Sequence, residues 1–141
     1  MRITHTEDIA APAAVVWEQT VAVESLPSLT PTITEVERLD KGPLEVGSRV
    51  RIKQPGQRAR VWTITAFEPE RLFSWSTAAM GMTMTGIHEL SHAEGITSNS
   101  LTIELSGRLA PILGPLLVGP LHKALAAEND GFKSVAEQQL R

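Results

Sequence analysis

Residues 81–107 constrain the fold more than any other part of this chain. Met82, Met84, Gly86, His88 and Leu90 alternate with Thr83, Thr85, Ile87 and Glu89, the period-two pattern of a strand with one buried face. Glu94-Gly95 is a hairpin signal, and Leu101, Ile103 and Leu105 then share a face over residues 96–107. At about 3.3 Å per residue each strand approaches 40 Å, so a partner of similar length has to cover them. The chain supplies one at its end, where the period changes. Leu117, Leu121, Leu125, Phe132 and Val135 fall on one helical stripe, while Lys123, Glu128, Asp130, Lys133 and Glu137 fall mostly elsewhere.

Pro120, preceded by Gly119, suits a first helical turn. The spacing therefore predicts a short helix near 111–118, a kink, and a long helix from 120 to about 139, spanning roughly 30 Å. Gly131 inside it costs about 1 kcal/mol relative to alanine, and marks either a close contact or a weak point. Upstream, residues 2–9 read as a strand and Ala10-Ala-Pro12 ends it. A helix carrying Val16, Trp17 and Thr20 follows, then a turn or broken helix over Ser25–Pro31. Strands are expected at 32–39, 47–54, 60–67 and 71–77. Arg49, Arg51 and Lys53 form the solvated face of one of them. No repeat or linker interrupts residues 1–141, which read as a single domain.

The 141 residues include no cysteine, which removes disulfides, thiolate metal sites and cysteine nucleophiles and suits a reducing cytoplasm. A net charge of −3 provides no broad basic field, so nucleic acid is not an expected partner. The first eight residues carry acids and no apolar run, unlike a signal peptide. Leu109–Leu121 is uncharged but only 13 residues long, with three prolines, so stable membrane insertion is not expected. A cytoplasmic monomer or homodimer is the expectation.

His88-Glu-Leu-Ser-His92 has the pattern of a zinc-protease helix. On a strand its two imidazoles stand roughly 13 Å apart, too far to share one ion, so no metal site is expected. His88 remains the foremost polar candidate, sharing a face with Met82, Met84 and Leu90. Its titration range allows proton transfer. Met80, Met82 and Met84 with Trp62, Phe73 and Trp75 make suitable lining for a pocket, and Leu117, Leu121, Leu125 and Phe132 would close it from the helix side. His5 and Glu7 share a face of the first strand, as Arg60 does with Trp62 in its own.

Ile9-Ala-Ala-Pro12 leading to Val16-Trp17, Leu26-Pro27, Pro31, Gly47, Trp62-Thr-Ile64, Phe67-Glu-Pro69, Phe73-Ser-Trp75, Gly86-Ile-His88 and Gly107 together resemble the START and Bet v 1-like (SRPBCC) superfamily. The nearest branch is the polyketide cyclase/dehydrase type. The resemblance implies an α+β helix-grip fold, with a seven-stranded antiparallel sheet curved around a long C-terminal helix and two short helices after strand 1. It also implies an internal cavity that binds a small hydrophobic molecule such as a lipid, quinone or polyketide-like compound, without a cofactor. Expected lining residues are His88, Trp62, Phe73, Trp75, Met82, Met84, Leu117, Leu121 and Leu125. Two other functions fit the resemblance: a cyclase/dehydrase-type enzyme using His88 as acid–base, and a protein-interaction or chaperone-activator-like module with an exposed apolar patch around Pro111–Leu117. The absence of tyrosine, and of an acid–base cluster on the inner strand faces, weighs against chemistry.

Overall fold

A computed structural model describes residues 1–140. The chain runs β1 (Arg2–Ile9), α1 (Ala13–Val21), a single 3-10 turn at Val23–Ser25, α2 (Leu26–Leu29), β2 (Glu35–Arg38), β3 (Arg49–Lys53), β4 (Arg60–Glu68), β5 (Leu72–Ala79), β6 (Met82–Ala93), β7 (Ile96–Ser106) and α3 (Ala110–Gln138). The strands form one seven-stranded antiparallel sheet in the order β1-β7-β6-β5-β4-β3-β2. This is the helix-grip fold that the resemblance implies, with the long strand pair and the long C-terminal helix where the alternation and the change of period place them. β1 closes one edge by pairing with β7, which joins the first strand to the last.

Apolar alternation puts Val50, Ile52, Trp62, Ile64, Phe73, Trp75, Leu90 and Leu101 on the sheet face covered by the helices. α1 contributes Val16 and Trp17, α2 contributes Leu26, and α3 contributes Leu125, Phe132 and Ala136 to the same core. A smaller cluster of Met82, Leu105 and Ala110 anchors the start of α3.

α3 departs from the expected pair of helices. It is continuous for 29 residues, with Pro115 and Pro120 inside it. Each of these prolines removes one backbone donor, and both lie on the exposed side, where water can serve the carbonyls left over. By length and composition α3 could cross a membrane. Its C-terminal half instead packs on the sheet through Leu125, Asn129, Phe132 and Ala136.

One buried polar network fixes α3 against the sheet edge. Asn99 Nδ2 in β7 donates to Asn129 Oδ1 at 2.8 Å, and Asn129 Nδ2 reaches His5 Nδ1 at 2.9 Å and the His5 and Asn99 carbonyls at 3.0 and 3.2 Å. The Asn129 amide N–H donates and His5 Nδ1 accepts in that contact. His5 and Glu7, which share a strand face, go to different partners: His5 joins this network, and Glu7 lies 3.9 Å from Lys133 Nζ.

Candidate functional site

Between the sheet and α3 lies an inner chamber of about 60 Å³, walled by Trp62, Trp75, His88 and Leu101 from the sheet, Leu26 from α2, and Leu125, Glu128 and Phe132 from α3. A wider mouth of about 700 Å³ adjoins it, lined by Arg58, Arg60, Met80, Met84, Leu117, Pro120 and Leu121 among others. Gln54, Trp62, Ile103, Leu125 and Glu128 line both spaces. Gly86 helps to shape the inner wall. It pairs with Trp75 across β5 and β6, and a Cβ there would meet the indole Nε1 at 3.1 Å. Glycine thus lets the indole lie against the strand, beside Trp62 at a centroid separation of 6.0 Å.

His88 projects from β6, opposite Phe73 on one side and Leu101 on the other. The rings of Phe73, Trp75 and Phe132 surround it at 5.5, 6.4 and 5.8 Å, all edge-on. Its Nδ1 is buried and has no hydrogen-bond partner in the protein. Burial pushes its pKa down to about 4, so the ring is neutral near pH 7. A buried nitrogen left without a partner costs about 1–3 kcal/mol, a penalty the fold itself does not require.

Glu128 faces His88's chamber from α3. Burial pushes its carboxyl up to about 7, against a smaller opposing effect from the Thr32 hydroxyl, which donates to Oε1 at 3.4 Å. A carboxyl with a raised pKa binds its proton more tightly in the folded state. The stability linked to its neutral form is therefore present below pH 4.5 and lost as pH rises through about 7. His88 acts in the opposite direction: its contribution is present above pH 6.5 and lost as pH falls through about 4. Glu128→Gln is expected to match the parent near pH 4.5 and to exceed it by roughly 2 kcal/mol at about pH 8. Thermal unfolding at the two pH values checks this, and an equal difference at both contradicts it.

Of the nine residues expected to line the site, Trp62, Trp75, His88 and Leu125 border the inner chamber, and Met84, Leu117 and Leu121 border the mouth. Phe73 and Met82 line neither. Phe73 is fully buried behind His88 and Trp75, and Met82 packs in the second cluster with Leu105. Strand alternation gives the face a residue points to, not its depth beneath its neighbours. His92, at the far end of β6, is exposed. Among the described residues, no group of three or more His, Cys, Asp or Glu is placed to hold a metal ion. Glu128 is the residue that a reading of strand faces misses, because it comes from the helix. Its signal is its spacing, three residues after Leu125 and four before Phe132, within the buried stripe.

The family model described as "Polyketide cyclase / dehydrase and lipid transport" matches residues 1–137. The chain belongs to this family. Solved structures with the same fold include the Zhui aromatase/cyclase from Streptomyces sp. R1128, at 22% identity and a TM-score of 0.80, covering 100% of this chain and 96% of that one. A START superfamily protein from Mycobacterium smegmatis matches at 15% identity and a TM-score of 0.80, covering 98% of each chain. A point mutant of norcoclaurine synthase from Thalictrum, in complex with a transition-state analogue, matches at 18% identity and a TM-score of 0.74, covering 100% and 96%. At these identities the likeness is one of fold. No curated protein matches in sequence.

Proposed function

We propose that this family member binds a small hydrophobic molecule whose apolar body fills the mouth and whose polar tip enters the inner chamber. A fatty acyl, isoprenoid-quinone or aromatic polyketide-like compound has the required shape. The observation that carries the reading is the unpartnered Nδ1 of His88, set in the aromatic wall of a chamber that Glu128 also lines. The volumes support a divided ligand. An inner space of about 60 Å³ admits a few heavy atoms only, whereas the mouth of about 700 Å³ lies within the range of small-molecule sites. Apolar burial at about 25 cal/mol per Å² supplies most of the affinity. His88 and the protonated Glu128 supply orientation, as acceptor or donor to a ligand hydroxyl or carbonyl.

Replacing His88 by phenylalanine tests this. The ring packing is kept and the orphaned nitrogen removed, so His88→Phe is expected to stabilise the fold by about 1 kcal/mol. The same change is expected to weaken binding about tenfold, the equivalent of one buried hydrogen bond. Emission from Trp62 and Trp75, together with displacement of anilinonaphthalene sulfonate by a fatty acid, a short-chain quinone or a hydroxynaphthoquinone, reports the affinity. Unchanged affinity, or a loss of stability, overturns the assignment of His88 to the ligand.

A second reading rests on the same two side chains. A neutral imidazole and a protonated carboxyl sharing one cavity can take a proton from a ligand carbon and give one to its carbonyl oxygen, the step that opens a cyclisation or dehydration. Turnover lost in both His88→Phe and Glu128→Gln, with binding surviving in Glu128→Gln, would favour it.

A further inference from the structure

The mouth opens beside a surface that the ligand site does not use. Over the first half of α3, Leu109, Ile112 and Leu116 are exposed, Ile112 at 66% and Leu116 at 73%, and Pro111, Pro115, Gly119 and Pro120 are exposed with them. At 100° per residue these positions form one continuous solvent-facing stripe, roughly 15 Å long. Met80, 50% exposed, stands close by on the rim of the mouth. The stripe is bounded by exposed cations, Arg108 at one end and Lys123 at the other, and Arg58 and Arg60 lie across the mouth. Between Glu104 and Glu128 there is no acidic residue, although the whole chain carries 16 acids and a net charge of −3. An apolar stripe with a cation at each end and no acid along it is complementary to an anionic, apolar partner.

A second copy of the chain does not meet that requirement. Packed antiparallel on itself, the stripe would set Arg108 against Lys123 at both ends with no acid to pair either. From these observations we infer that the solvent-facing stripe on the first half of α3 docks on an anionic lipid bilayer. Ile112 and Leu116 sink to the level of the headgroups and acyl boundary, and Arg58, Arg108 and Lys123 meet the lipid phosphates. The attachment is peripheral, since the C-terminal half of α3 stays packed on the sheet. Pro120 belongs both to the stripe and to the rim of the mouth, so docking brings that rim near the bilayer, from which a hydrophobic ligand would enter; this last consequence alone rests on the cavity reading above.

Flotation of the full chain with vesicles tests the inference. Binding is expected to vesicles of phosphatidylcholine and phosphatidylglycerol in equal parts, not to phosphatidylcholine alone, and to fall as salt rises. Each of R58Q and K123Q is expected to weaken it roughly fivefold. I112E/L116E is expected to weaken it more than about tenfold, at an unchanged melting temperature because both side chains are exposed. His88→Phe, which changes only the chamber, is expected to float like the parent, so the docking and ligand readings fail separately. Absence of flotation with the anionic vesicles at low salt overturns the inference, as does flotation undiminished in I112E/L116E. A concentration-dependent dimer that the same double substitution dissolves assigns the stripe to a second copy and also overturns it.

Discussion

Gly131→Ala is expected to destabilise the domain by roughly 3 kcal/mol, although the substitution improves helix propensity by about 1 kcal/mol. The reason lies in what α3 touches at that point. A Cβ built on Gly131 falls 2.2 Å from the Leu29 carbonyl oxygen and 2.7 Å from Leu29 Cδ2. The first of these is backbone, which no rotamer change can move. Relief needs α2 to withdraw from α3. That displacement pulls Leu26 out of the core and away from the inner chamber it helps to wall. At about 2–4 °C per kcal/mol for a domain of this size, the melting temperature should fall by roughly 8 °C. Ligand affinity should fall with it. A variant as stable as the parent, or more so, would show that α2 does not sit against α3 in this way.

Asn129→Leu is expected to be at least as damaging, at roughly 4 kcal/mol. Asn129 is fully buried, and its single amide serves Asn99 Nδ2, His5 Nδ1 and the carbonyls of His5 and Asn99. Leucine preserves volume and deserts these groups together, at about 1–3 kcal/mol for each one left without a partner or water. The double variant Asn99→Leu/Asn129→Leu removes Asn99 Nδ2 along with its partner and should recover part of the loss. Chemical denaturation of the two single variants and the double variant measures the coupling. Strictly additive effects would mean that the two amides do not act as a pair.

Both residues illustrate what the sequence discloses and what it withholds. Alternation in residues 82–90 and 96–105 establishes the hairpin, and the register observed, with Gly86 opposite Ile103 and His88 opposite Leu101, follows from it. The long helix is legible from its stripe, but its continuity is not. Pro115 and Pro120 read as breaks because a sequence does not show that the bonds they remove face water. Glu128 and Asn129 lie on or beside the buried stripe, a polar intrusion that spacing could have flagged. Their partners could not be read this way: Thr32 is 96 residues from Glu128 and His5 is 124 from Asn129, and only the packing of α3 in the folded chain brings them together. The same limit explains Phe73 and Met82, whose face is legible and whose depth is not.

The space beside His88 is proposed to hold a hydrophobic molecule. Native mass spectrometry of the purified protein, followed by denaturing extraction, tests it most directly. A co-purifying species is expected at near-stoichiometric amount in the parent, much reduced in His88→Phe and extracted as a compound with an apolar body and a hydroxyl or carbonyl tip. A clean apo mass for the parent, together with no displacement of the dye by any apolar compound offered, would contradict it.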